Sequence, residues 1–190
     1  MGPLTLLRSY PLTLMRSLLV LLAAALALPA RAQFEGSIGP AVPETVVAWT
    51  ARVRPPATAG ATAPADTGVF RRGDHVFLTL TAEVAPGWRL YALRSPGGRP
   101  LQLTLDPLPD GLRLEGTPGE DSPRDGYDEA LGEAYRYHAG RARVWQGLRV
   151  SERAQRGPLE VSGRVRYAAC NDSICLPPRE EAFSVRLVVQ

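Results

Sequence analysis

"LEVSGRVRYAACNDSICLPPREEAFSVRLVVQ", residues 159–190, carries an alternating segment on either side of a turn bracketed by two cysteines. Before the turn, Leu159, Val161, Val165 and Tyr167 alternate with Glu160, Ser162, Arg164 and Arg166. After it, Phe183, Val185, Leu187 and Val189 alternate with Ser184, Arg186 and Val188. Successive side chains of a strand leave opposite faces, so this period of two is the mark of half-buried antiparallel strands. The stretch is expected to fold as a hairpin.

The same pattern recurs upstream. Val76, Leu78, Leu80, Ala82 and Val84 share one face against Phe77, Thr79, Thr81 and Glu83. Weaker strand signals lie at 46–53, 88–93, 101–105, 112–115, 134–138 and 143–150, separated by turn formers such as Pro96-Gly97-Gly98 and Pro109-Asp110-Gly111. Downstream of the first 32 residues, no stretch holds an apolar period of 3.6. Eight or nine short strands with frequent turns predict an all-β sandwich. Two segments interrupt the rhythm. Residues 54–68, "RPPATAGATAPADTG", offer no large apolar side chain to bury and read as a flexible loop; residues 116–133, "GTPGEDSPRDGYDEALGE", read as a second long, acidic connection.

The first 32 residues follow other rules. Arg8 and Arg16 precede an unbroken apolar run of 11 residues, Leu18 to Leu28, and then Ala30-Arg31-Ala32. That is the layout of a cleavable secretory signal. The run is short of the ~20 residues that a bilayer span requires. A single domain over 33–190, exported to an oxidising compartment without a membrane span, is the expectation. The chain's 22 basic and 19 acidic residues include three arginines and no acid in that leader, which leaves 19 of each sign. A balanced domain lacks the basic footprint of a nucleic-acid binder.

Cys170 and Cys175 are the chain's two cysteines. Five is an odd number, so both cannot face one side of a continuous strand, but they can oppose each other across a turn. Opposed residues at a hairpin mouth have Cα atoms about 4.5–5.5 Å apart, inside the disulfide range of about 4.4–6.8 Å. So small a ring stabilises the fold by only about 2 kcal/mol. Pro177 and Pro178 cannot donate to a ladder, which puts the following chain at an edge, where a foreign sulfur can approach. Spacing alone leaves two readings open: a structural staple in a non-catalytic exported binding module, or a disulfide that is itself the working group.

"VRYAACNDSICLPP", residues 165–178, resembles the signature of the N-terminal periplasmic domain of the protein-disulfide reductase DsbD. "PGWRLYAL", residues 86–93, is similar to that family's G-W-x-x-Y strand, and "YDEALGEAYRYHAG", residues 127–140, to its acidic cap segment. The resemblance runs over roughly 40–190 and implies an immunoglobulin-like antiparallel β-sandwich in the periplasm. It implies thiol–disulfide exchange, with Cys175 forming the intermolecular disulfide and Cys170 resolving it. Asp128 and Glu129 match acids near the pair, and Tyr91 a tyrosine facing it. The donor implied is a membrane-embedded thiol reductase with a thioredoxin-like domain. The acceptors implied are periplasmic disulfide isomerases or the thioredoxin-like proteins of cytochrome c maturation. Two departures stand out: the family's aromatic cap is replaced, with Leu131 as the candidate lid, and the sequence stops at Gln190, so the reductant is expected to be a separate protein.

Other chemistries find no support. His75 and His138 do not combine with the cysteines in a usual zinc spacing, and both methionines, Met1 and Met15, lie in the leader. Neither a phosphate-cradling glycine loop nor a nucleophile elbow occurs, so no cofactor and no metal is expected. Taken alone, Tyr91 and Tyr167 read as core aromatics with bonded hydroxyls, Asp128-Glu129 as a solvated acidic surface, and Trp49, Trp88 and Trp145 as packing residues.

Overall fold

The structure, a computed structural model, describes residues 43–56, 68–129 and 132–190. The leader expected at 1–32, most of the loop expected at 54–68, and Leu131 lie outside the described residues. In chain order the strands are β1 (Val47–Arg54), β2 (Val69–Phe70), β3 (His75–Val84), β4 (Arg89–Tyr91), β5 (Gln102–Leu105), β6 (Leu112–Glu120), β7 (Arg124–Asp128), β8 (Glu133–His138), β9 (Arg141–Val150), β10 (Gly157–Tyr167), β11 (Ala169–Cys170) and β12 (Arg179–Val189). The described residues contain no helix, and so none long and apolar enough to cross a membrane.

Two four-stranded sheets, ordered β1-β3-β9-β6 and β2-β12-β10-β5, carry the apolar faces that the alternation predicted. Leu78, Leu80, Leu148 and Val150 from the first sheet join Val161, Val165, Leu187 and Val189 from the second in one core, each at most 2% exposed. Each such side chain contributes about 1.5–3 kcal/mol relative to an exposed position. That shared core makes the fold an antiparallel β-sandwich of the immunoglobulin-like class, with one exception to the pairing: the two residues of β2 run parallel to β12. The predicted hairpin is β10–β12, in register from Gly157↔Val189 to Tyr167↔Arg179.

The acidic connection expected at 116–133 is largely strand. β6 slips register against β9 between Glu115 and Gly119, then resumes with Gly119↔Trp145 and Glu120↔Val144. The buried Gln146 amide nitrogen lies 3.1 Å from the Glu115 carbonyl and 3.2 Å from that of Gly116, satisfying the oxygens that the bulge frees from the ladder. β7 then pairs with β8. A bulge erases the period of two just where Gly116-Thr117-Pro118-Gly119 imitates a turn, which is why the pattern misled.

A third sheet, β11-β4-β8-β7, is built from short strands. Leu90, Ala169 and His138 are buried on its inner side, all at 5% exposure or less. Buried Glu120, delivered by the resumed end of β6, joins it to the sandwich: its carboxylate accepts from His138 Nε2 at 3.0 Å, from the Leu93 amide at 2.7 Å and from the Arg94 amide at 3.1 Å.

Candidate functional site

The sulfurs sit at the edge of this third sheet. The Asn171 amide donates to the Ile174 carbonyl at 2.9 Å, and the Leu176 amide donates to the Ala169 carbonyl at 2.9 Å. Those two bonds flank Cys170 and Cys175, which makes the cysteines a non-hydrogen-bonded antiparallel pair, the arrangement that brings Cα atoms closest. The Cα separation is 4.0 Å, tighter than the hairpin-mouth expectation, and the disulfide is formed. The Asn171 side chain closes the turn by accepting from the Ser173 and Ile174 amides at 2.9 and 2.8 Å. Pro177 and Pro178 lie between this turn and β12, outside the ladder, as the missing amides require.

The two cysteines are not equivalent. Cys170 belongs to β11 and is 8% exposed, whereas Cys175 is solvent-exposed. Exposed Ile174 stands next to Cys175.

Register decides what surrounds the sulfurs. Cys170 is paired with Arg89, Tyr91 with Tyr137, and Gly126 with Tyr135. Directly opposed residues share a face, so one face of the small sheet presents the disulfide, then Arg89 and Tyr91, then Tyr135 and Tyr137. A Cβ at Gly126 would lie 2.6 Å from the Tyr135 ring, and one at Gly98, whose φ is +73°, would overlap the Tyr91 ring. Glycine at these two positions lets the rings lie flat on backbone. Tyr91 and Tyr135 meet edge to face at 5.7 Å, and Tyr135 and Tyr137 meet at the same separation, tilted.

A cleft of about 230 Å³ opens over this face, and every described residue proposed from the sequence lines it: Cys170, Cys175, Tyr91, Asp128 and Glu129. The Tyr91 hydroxyl lies 3.7 Å from Cys170 Sγ. Burial, reinforced by Tyr135 and Asp128, raises the Tyr91 pKa above the usual phenol value, so the hydroxyl remains a donor at neutral pH. Tyr167, by contrast, lies outside the cleft lining and donates to Glu181 at 2.6 Å, as a packed core aromatic does. Trp88 is buried, and Trp49 packs on Tyr167 with ring centroids 5.6 Å apart. His75 pairs with Glu115 at 2.5 Å, away from the sulfurs.

Sequence reasoning missed Arg89, Asp172, Tyr135 and Tyr137. A signal was present for the tyrosines, since "AYRYH" places both on one face. Arg89 forms an ion pair with Asp172, and its guanidinium lies 5.5 Å from the centroid of the Tyr137 ring, a cation–π distance.

No family model matches the sequence, and neither does any curated protein. Among solved structures, the N-terminal domain of DsbD from Neisseria meningitidis, in its reduced form, aligns at 21% identity over 63% of this chain and 83% of that one, with a TM-score of 0.39. The chain is similar to DsbD N-terminal domains. The N-terminal periplasmic domain of ScsB from Proteus mirabilis aligns at 15% identity over 62% of this chain and 43% of its own, TM-score 0.37. AggA, the major fimbrial subunit from Escherichia coli, aligns at 11% identity over 76% of this chain and 95% of its own, TM-score 0.33.

Proposed function

We propose that the protein is a periplasmic thiol–disulfide exchange component that passes electrons through Cys170 and Cys175. The observation that carries this reading is the inequality of the two cysteines: an exposed Cys175 beside a buried Cys170, in a cleft that four tyrosines and three carboxylates also line. A structural staple requires neither the exposure nor the cleft. The motif "CNDSICLPP" and its likeness to the DsbD signature support the same reading.

In the reduced protein, the Cys175 thiolate attacks the acceptor's disulfide and expels one acceptor thiolate, which takes up a proton. Cys170, deprotonated in turn, attacks Cys175 Sγ in the mixed disulfide; the acceptor's second sulfur leaves, and the Cys170–Cys175 bond forms. Two electrons and two protons pass to the acceptor. Asp128 and Glu129 serve as local proton acceptors. The acceptor is a disulfide isomerase or a thioredoxin-like protein of cytochrome c maturation, and the donor is a membrane-embedded thiol reductase with a thioredoxin-like domain.

Mixing the Cys170→Ser protein with oxidised thioredoxin-like proteins tests this. A covalent adduct through Cys175, released by dithiothreitol, is expected, while Cys175→Ser gives far less. Absence of an adduct with every partner, together with a wild-type disulfide that reduced thioredoxin-like proteins leave intact, would establish a staple instead.

A further inference from the structure

The resolution step requires Cys170 as a thiolate, yet this is the less exposed of the two cysteines, and burial in itself disfavours the charged form. The cleft compounds the difficulty. Asp128 and Glu129 from β7 and its end, with Asp172 from the turn, bring three carboxylates to it. Among the described residues lining the cleft, Arg89 is the only cation; the tyrosines, Tyr91 included, add none.

Arg89 is also the residue directly opposite Cys170 in the β4–β11 pairing. Side chains so opposed leave the sheet on one face, with Cβ atoms about 4.5–5.5 Å apart. Two contacts then fix the guanidinium over that face: the ion pair to Asp172, two residues beyond Cys170, and the Tyr137 ring beneath it. A guanidinium anchored at two points presents its charge without first reorganising.

Resting on the exchange reading above, the geometry points to Arg89 as the residue that holds the Cys170 sulfur as a thiolate for the resolving attack, with Asp172 positioning it. Cys170 gives its proton to a cleft carboxylate or to water, and its thiolate attacks Cys175 Sγ. The bond from Cys175 to the acceptor sulfur breaks, and that sulfur leaves with the electron pair and is protonated. Arg89 gains and loses nothing; it offsets the charge while it stands on Cys170. The Tyr91 hydroxyl, 3.7 Å from the same sulfur, is placed to donate to it.

The test is an ultraviolet thiolate titration of Cys170 in the Cys175→Ser protein, corrected against the protein lacking both cysteines. Arg89→Met retains the apolar stem over Tyr137 and removes the charge. At the pH where the parent is half thiolate, its thiolate fraction is expected to fall to about a tenth, and Arg89→Lys to restore most of the loss. Should Arg89→Met fail to fold, Arg89→Gln, which still donates to Asp172, carries the same measurement. Superimposable titrations of parent and charge-free variant would overturn the assignment. No acceptor takes part, so this result stands apart from mixed-disulfide trapping: either can fail while the other succeeds.

Discussion

The two large sheets and the small one are built on opposite economies of side chain. In the sandwich, long strands place aliphatic residues on one buried face, and Leu78, Leu148 and Leu187 have no measurable exposure. In β11-β4-β8-β7, no strand exceeds six residues, and the outer face is a row of tyrosines, an arginine and a disulfide, all partly open to water except Cys170. Four short strands and a turn, held by ring contacts, a buried carboxylate and an ion pair, give up apolar burial for an open polar face, and the sandwich beneath makes that tolerable. On the proposed exchange function, stability and reactivity belong to different layers, so they should respond separately to mutation.

The largest effect should come from the joint between the layers. Glu120→Ala removes one partner of a buried pair and orphans two amides, at a cost of about 3–5 kcal/mol; chemical denaturation should register it, with hydrogen exchange at Leu93 and Arg94 rising first. Leu148→Ala strikes the sandwich alone and should cost about 2–5 kcal/mol while leaving the rate of thiol exchange in the folded protein unchanged; a drop in that rate would mean that the layers are coupled.

Removing the disulfide with Cys170→Ser and Cys175→Ser should cost no more than about 2 kcal/mol, seen as a small shift in the denaturation midpoint, because the Asn171 turn and the β10–β12 ladder persist without it. Smallest is Tyr167→Phe, worth about 1 kcal/mol for its bond to Glu181. Burial and that carboxylate raise the Tyr167 pKa above its ordinary value of 10.0. A raised folded-state pKa contributes stability that is complete below the unfolded value and is lost as pH climbs beyond it. Wild-type stability should therefore fall above about pH 10, and Tyr167→Phe should flatten that fall.

Strands β3, β10 and β12 were readable residue by residue, because burial on one face imposes the alternation directly. β6 beyond Glu115 and all of β7 were not, because a bulge and a run of glycine, proline and acid conceal strand behind turn composition. Of the site, Cys170, Cys175, Tyr91, Asp128 and Glu129 were legible through the motif resemblance, and the cleft unites them. Arg89 and Asp172 were invisible: an arginine after a tryptophan and an aspartate in a turn are ordinary surface residues until 83 positions of chain are folded away.

What the sequence by itself determined is local: which strands alternate, where the hairpin turns, and that a pair five apart must close across it rather than along a strand. Tertiary structure decided the rest. Parity tells which face a side chain takes but not which strand lies beside it, and only register set Arg89 against Cys170, brought Tyr91 to the sulfur across 79 residues, and left one cysteine exposed while burying the other. The two positions most alike in sequence, the ends of "CNDSIC", became chemically unlike because β4 covers one of them and water the other.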